Sequence, residues 1–265
     1  MEYEKDYREQ FHDLLMAFGT IGKHTKGKHA GDDNRFLSAE GLLFKVFDLG
    51  CTTLNLLESG PMCSNLSAKY NPLSAINVIA RAAYEAFLIF NYVFIDKPSK
   101  EENDLRYWIW KRISLEEWRD YPTNTRKRKE DLKSIDADIA EADQHINENP
   151  IFTKLSPEKK EKRLSKISWL PKYKKLGKKA GVPLAIRKDL YNYLCGFAHS
   201  SYRSIITSRD TEYTINNISY LRVPILLIMY SIAMSIVKYL ELWNLDVEIL
   251  PESQKSAVMQ VFEQH

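Results

Sequence analysis

Apolar residues recur at helical spacing along most of the chain, with polar residues between them. The pattern predicts helices over the following ranges, together with a short basic helix capped by Ser156: Tyr3–Phe18, Ser38–Glu58, Leu73–Ile95, Glu101–Trp118, Thr125–Asn147, Tyr173–Ala180, Ile186–Ser204, Asn217–Trp243 and Leu250–Gln264. Apart from a short stretch around Thr211–Ile215, no segment alternates with the two-residue period of a strand. The 265 residues include only 10 Gly and 10 Pro, fewer than a turn-rich β fold needs. We therefore predict an all-α fold with a single bundle of about six core helices.

The predicted helix Leu73–Ile95 is apolar on almost every side, as expected for a helix in the middle of a bundle. Four polar residues form one narrow stripe, at spacings of three, four and four: Ser74, Asn77, Arg81 and Glu85. A buried charge is costly unless it is paired. Arg81 and Glu85 could form a structural ion pair at i and i+4, or the stripe could line a polar cleft. Both interpretations stay open at this point.

The middle of the chain is far more charged than its flanks. We predict one helical domain over residues 1–265 that carries a charged helical-hairpin insertion at 121–170. Between Lys154 and Lys179 there are 11 Lys and Arg residues but only two acidic residues, a local charge of +9. Such a run is either the solvated face of a helix or a surface for phosphate-rich partners such as RNA.

Several protein classes have no signature in the sequence. The three cysteines are scattered and lie at no metal-binding spacing, so we predict reduced thiols, no metal and no cofactor. The charged N-terminus does not resemble a signal peptide. The longest strongly apolar run, Val223–Val237, is shorter than the roughly 18–20 residues that span a bilayer. The sequence therefore predicts a cytoplasmic protein without a membrane span. It contains no nucleotide-binding glycine motif, metalloprotease motif or serine-hydrolase motif.

Candidate chemistry concentrates in the segment Arg187–Ser204. If Ile186–Ser204 is one helix, His199 lies away from the apolar face that contains Leu190. A histidine near a serine, tyrosines and an arginine can transfer protons; these neighbours are Ser200, Tyr193, Tyr202 and Arg203. The alternatives are a capping or hydrogen-bonded structural histidine and a thiolate pair with Cys195.

Two separated motifs resemble a bacterial family of uncharacterised helical proteins. An Arg–x–x–Tyr–Glu helix is followed about a hundred residues later by a Tyr–x–x–Leu–x–x–x–x–His segment. In this sequence the matching residues are Arg81, Tyr84, Glu85, Tyr191 or Tyr193, Leu194 and His199. The resemblance covers about Leu73–Arg209. The family is in turn distantly similar to HEPN helical domains, many of which are ribonucleases.

The resemblance implies a ribonuclease-type effector of bacterial toxin or phage-defence systems that acts as a homodimer. HEPN ribonucleases place an arginine four to six residues before the histidine, whereas those positions here hold Cys195, Leu194 and Tyr193. The hypothesis therefore assigns the arginine to Arg81, with His199 as general acid or base and Glu85 as the residue that orients them. Five further residues are expected to contribute to binding: Asn77, Tyr84, Tyr193, Ser200 and Arg203.

The alternative hypothesis is a non-catalytic helical module that binds a partner protein or a small ligand. In that case Arg81, Glu85 and His199 belong to a polar network that fixes the packing of two central helices.

Overall fold

The computed structural model describes residues 2–27, 35–59, 72–96, 98–122, 126–184, 186–212 and 219–263. These residues form twelve α-helices and no strand. In chain order they are α1 (Glu2–Thr25), α2 (Arg35–Ser59), α3 (Leu73–Phe90), α4 (Lys100–Arg119), α5 (Arg126–Glu148), α6 (Pro150–Thr153), α7 (Pro157–Leu164), α8 (Tyr173–Lys179), α9 (Tyr191–Ala198), α10 (Tyr202–Glu212), α11 (Ser219–Leu242) and α12 (Glu252–Glu263). The all-α prediction is confirmed. In the stretch around Thr211–Ile215, α10 extends to Glu212, and the rest lies outside the described residues.

The chain divides into two compact units. The first unit combines Met1–Phe90 with Gly181–His265, and the second is Asn91–Ala180. The segment 121–170, predicted as an insertion, lies within the second unit, which also contains α4 and a π-helical turn at Asn91–Ile95.

Helix α3 is the central helix of the first unit and contacts α2, α9, α10 and α11. Its apolar sequence explains this position, because ten of its residues are buried, among them Ile76, Ala80, Ala83 and Phe87. Around it, α1 packs against α2, α11 and α12. The apolar packing explains the position of α3 but not its polar stripe.

The prediction of one helix over Ile186–Ser204 is wrong. A π-helical turn, Ile186–Leu190, leads into α9, and α9 ends before α10 begins at Tyr202. The backbone of Ser200 has φ 51°, a left-handed conformation that ends a helix. The Ser201 amide donates to the Gly196 carbonyl at 2.8 Å, and the Ser200 amide donates to the Phe197 carbonyl at 3.4 Å. This Schellman-type ending makes His199 the C-terminal cap of α9.

The second unit is built on α4 and α5, which pack against each other and against the short α6. Its core contains Leu105, Ile109, Ile113, Ile146 and Phe152. Asn149 caps α6 by accepting a hydrogen bond from the Ile151 amide at 2.9 Å, and its own amide donates to the Glu101 carbonyl at 2.8 Å. This one side chain therefore links the end of α5 to the start of α4.

Arg106 is a buried cation in the second unit, with 4 % of its surface exposed. Its Nε donates to Glu102 at 3.0 Å, and its Nη1 donates to the Tyr92 carbonyl and the Asp96 carboxylate, both at 3.0 Å. Its guanidinium carbon also lies 4.1 Å from the centre of the Tyr92 ring. Burial acts to raise the pKa of Asp96, but the hydrogen bonds from Lys179 and Arg106 hold it below its usual value. The positive charge of Arg106 is therefore balanced by two carboxylates, and a backbone carbonyl accepts a further hydrogen bond from it.

Two stretches, Leu73–Ile95 and Tyr220–Leu242, are long and apolar enough to cross a membrane on length and composition alone. Within their most apolar windows, 61 % and 72 % of the residues are buried. Helix α11 has 24 residues and extends beyond the apolar run Val223–Val237, from which the sequence analysis predicted that no segment spans a membrane. A core helix of a soluble protein meets the same test, so the cytoplasmic location stays a prediction.

Replacing Arg106 with methionine should destabilise the protein by about 3 kcal/mol, because two carboxylates lose their buried partner. Urea unfolding followed by circular dichroism measures this loss. Arg119→Met is the matched control, since the Arg119 side chain is 41 % exposed and its nearest carboxylates are 3.8 and 3.9 Å away. Equal stability of the two variants would contradict the assigned role of Arg106.

Candidate functional site

The polar stripe of α3 meets α9 through one carboxylate. Arg81 Nε donates to Glu85 Oε1 at 2.8 Å, and the Tyr191 hydroxyl donates to the same oxygen at 2.9 Å. The Arg81 and Glu85 side chains are 20 % and 24 % exposed, so the pair lies at the edge of the core. The ion pair expected at i and i+4 is therefore present, and it also receives a hydrogen bond from a second helix.

His199 lies at the outer side of this cluster. Its Nε2 is 3.3 Å from Arg81 Nη1, and the residue is exposed. A guanidinium can only donate, so a hydrogen bond in this contact requires Nε2 as the acceptor and the ring proton on Nδ1. The Schellman-type ending of α9 fixes the backbone that presents this ring.

The charges and protons of the inner groups follow from their contacts. Burial acts to lower the pKa of Arg81, but the hydrogen bond and charge of Glu85 outweigh it and raise that pKa above the usual value. Burial, then the hydrogen bond and charge of Glu85, raise the pKa of Tyr191 far above its usual range. At neutral pH the cluster thus contains a charged arginine and a protonated tyrosine, both donors to one carboxylate.

Two other predicted site residues, Tyr84 and Asn77, are buried in the structure. Tyr84 is buried, and its ring centre is 6.4 Å from that of Tyr191, so it lies behind the cluster. Asn77 is fully buried and donates to the Leu73 carbonyl at 2.8 Å, as a residue of the α3 interior.

Three predicted residues make no described hydrogen bond to Arg81, Glu85 or His199. Tyr193 packs edge-on against Phe197, with ring centres 5.1 Å apart. Ser200 provides the left-handed turn after His199. Arg203 is an exposed residue of α10 whose charge acts on Tyr193. Their direct role in binding stays a prediction.

Tyr191, and not Tyr193, supplies the tyrosine of the cluster. The sequence left these two residues as alternatives, but the spacing of Tyr191, Cys195 and His199 at i, i+4 and i+8 would have favoured Tyr191. The Cys195 thiol lies near enough to Tyr191 and Arg81 to influence the pKa of both. No group of three or more His, Cys, Asp or Glu residues suited to a metal ion exists among the residues that the structure describes.

The cluster of Arg81, Glu85, Tyr191 and His199 has an inner and an outer level. The inner level joins Glu85 to Tyr191, and the outer level joins Arg81 to His199. The outer level combines a fixed cation with an imidazole that reaches solvent, so it can bind an oxyanion and exchange a proton with it.

A family model matches residues 65–213, which is more than half of the 265 residues. It is described as a family of unknown function (DUF5677). The matched range contains all four residues of the cluster. No curated protein and no solved structure matches the chain significantly.

Replacing Tyr191 with phenylalanine should destabilise the protein by about 1 kcal/mol, because Glu85 loses a donor within a partly buried cluster. Tyr193→Phe is the matched control, with an expected change below about 0.5 kcal/mol. Chemical unfolding of both variants measures the difference. If Tyr193→Phe proves the more harmful change, the assignment of Tyr191 to the cluster is wrong.

Proposed function

The chain belongs to the family of unknown function DUF5677, and we propose that it is a HEPN-like ribonuclease-type effector whose site is the Arg81–Glu85–Tyr191–His199 cluster. The observation that carries the proposal is the contact of 3.3 Å between Arg81 and an exposed His199. An arginine beside a histidine that reaches solvent suits a phosphodiester, which needs both charge stabilisation and proton transfer.

In the proposed reaction, Arg81 donates to a non-bridging phosphate oxygen of RNA. That oxygen replaces His199 Nε2 as the acceptor of Nη1, which frees Nε2 to act as a base. Nε2 then takes the proton of the 2′-hydroxyl while the O2′–P bond forms and the P–O5′ bond breaks. The leaving 5′ oxygen takes a proton from a water molecule, and the protonated His199 gives its proton to the resulting hydroxide. The products are a cyclic phosphate and a 5′-hydroxyl end.

Glu85 and Tyr191 are positioning residues in this mechanism. The carboxylate holds Arg81 by its Nε, and Nη1 of the same guanidinium lies next to His199. Tyr191 donates to the same carboxylate oxygen and so limits its movement. Such preorganisation lowers the cost of binding charge that develops in the transition state.

The basic segment Lys154–Lys179 supplies RNA affinity in the proposal. Arg163, Lys166 and Lys179 are paired with Glu102, Asp120 and Asp96 respectively. In contrast, three exposed lysines of α8 make no ion pair with any described residue: Lys174, Lys175 and Lys178. These unpaired charges support contact with the phosphate backbone rather than a purely structural role.

A homodimer belongs to the same proposal. Three exposed apolar side chains lie on α3 and α10, the helices that flank His199: Val78 (42 % exposed), Tyr202 (81 %) and Ile205 (56 %). The hydrogen bond of 2.6 Å between Ser74 and Ser208 holds the two helices together about one turn away. A second copy of the chain would cover these side chains.

The second candidate function is a helical module that binds a partner protein or a small ligand without catalysis. The observation that favours it is the Glu85 carboxylate, which is shared by two helices as in a structural network. The two functions differ in what His199 does, because an exposed histidine contributes little to packing.

Replacing His199 with glutamine should lower the rate of RNA cleavage by at least about 100-fold, since general acid–base catalysis is lost. Release of fluorescence from a quenched RNA oligonucleotide measures the rate. His12→Gln is the control, because His12 is an exposed histidine of α1. Cleavage by the His199 variant at the rate of the unmodified protein would rule out the proposed site, and absence of cleavage by the unmodified protein would favour the non-catalytic module.

Replacing Lys174, Lys175 and Lys178 together with glutamine should weaken RNA binding and make it less dependent on salt. Each lost phosphate contact lowers the slope of log affinity against log salt by about 0.7 for single-stranded RNA. Fluorescence anisotropy between about 50 and 200 mM salt measures the slope. The control is the pair Lys238→Gln and Lys255→Gln, whose lysines are neutralised by glutamates. Equal slopes for both proteins would exclude α8 as the RNA surface.

A further inference from the structure

Helix α2 presents two large apolar side chains to solvent. Leu37 and Phe44 are both 67 % exposed, and because they lie two helical turns apart they share nearly the same face of α2. The Phe44 ring packs against the Phe47 ring, with centres 5.9 Å apart, and the Phe47 ring packs against Phe18 of α1, with centres 5.7 Å apart. The exposed apolar face of α2 is therefore continuous with the contact between α1 and α2.

Helices α1 and α2 run antiparallel. A β-carbon at position 50 of α2 would lie 2.8 Å from Leu15 Cδ2 on α1. Three residues further along α1, Phe18 meets Phe47, which lies three residues back along α2. One further turn in the same directions leads to a third level of contact. The residues at that level are Gly22 on α1 and Phe44 on α2.

The α1 side of this third level is open. Gly22 is exposed, and a β-carbon there would meet no described atom within 4 Å beyond the backbone of its own helix. Glycine inside a helix is less favourable than alanine, and packing among the described residues does not require it here. The missing side chain leaves a groove beside the Phe44 ring. We call the surface formed by Gly22, Leu37, Phe44 and Phe47 the α1–α2 groove.

Three exposed lysines flank the α1–α2 groove, and none of them forms an ion pair with any described residue. Lys23 lies in the last turn of α1, and Lys26 lies just beyond that helix. Lys45 is the neighbour of Phe44 on α2, and Asp48 is the exposed acidic residue one turn further along. The exposed charges around the groove are therefore mainly positive, which favours a partner with acidic residues beside its apolar side chains.

We propose that the α1–α2 groove is a docking site for an amphipathic helix of a partner protein, with acidic residues on both sides of its apolar face. The apolar side chains of that helix pack against Leu37 and Phe44, and its backbone approaches α1 at Gly22. Its carboxylates pair with the three lysines. The inference is independent of RNA cleavage, since no residue of the Arg81–Glu85–Tyr191–His199 cluster takes part in it.

A peptide library tests the proposal without a known partner. Displayed helical peptides have leucine fixed at positions i, i+4 and i+7 and random residues elsewhere, and they are selected on the full chain. We expect the selected peptides to be enriched in Glu and Asp next to the leucines. A failure to select any peptide, or enrichment of Lys and Arg at those positions, would overturn the proposal.

One selected peptide is then titrated with variants of the protein, and fluorescence anisotropy measures its affinity. Phe44→Glu should weaken binding by at least about tenfold, because aromatic side chains carry a large share of the binding energy of such interfaces. Met259→Glu is the matched control, since Met259 is an apolar residue of α12 that is 46 % exposed. Equal affinities of the two variants would place the peptide elsewhere and contradict the docking site.

Gly22→Leu separates docking from folding. The leucine fills the groove, and it also favours the helix more than glycine does. We expect Tm to stay the same or to rise, while the affinity for the peptide falls by at least about tenfold. Unchanged affinity in this variant would show that the groove does not receive the peptide.

An exchange of charges distinguishes a partner helix from an anionic membrane. Lys23→Glu together with Lys45→Glu should weaken binding of the acidic peptide, and a peptide with its glutamates replaced by lysines should bind this double variant more tightly than it binds the unmodified protein. Vesicles of phosphatidylserine and phosphatidylcholine are the competing probe. If Phe44→Glu abolishes vesicle binding and no peptide binds, the occupant is a membrane surface and the proposal is wrong.

Discussion

The packing of α3 against α9 depends on one carboxylate that serves two helices. Glu85 accepts hydrogen bonds from Arg81 on its own helix and from Tyr191 on α9. Most of the remaining surface of α3 is apolar, and apolar packing alone specifies the relative position of two helices less uniquely. The shared acceptor selects one of these positions. In that position the residue two turns beyond Tyr191 is His199, and it reaches Arg81.

Each of the two units contains an arginine next to its core, but the surroundings of the two arginines differ. Arg106 in the second unit directs its guanidinium at carboxylates and carbonyls, and it is 4 % exposed. Arg81 in the first unit has one carboxylate and one imidazole as partners, and its side chain is 20 % exposed. The first arrangement stabilises a core. The second leaves part of the cation available to a ligand, which is why the candidate site lies there.

Periodicity was sufficient to predict the helices and the central place of α3, because both follow from which residues avoid water. It failed between Ile186 and Ser204, where the helix is interrupted by Ser200 in a conformation more typical of glycine. The ion pair of Arg81 and Glu85 was one of two interpretations that their spacing left open. The contact between Arg81 and His199 was not, since it joins residues 118 positions apart and depends on how α9 packs.

Ser201 belongs to the end of one helix and the start of the next. Its amide closes α9 on Gly196, and its hydroxyl accepts from the Ser204 amide in the first turn of α10. A β-carbon at position 196 would lie 2.9 Å from that hydroxyl, so the joint leaves no room for a side chain there. The connection between α9 and α10 therefore has a closely packed and hydrogen-bonded geometry. The same short connection therefore sets both the position of the His199 ring and the direction in which α10 carries the exposed Tyr202 and Ile205.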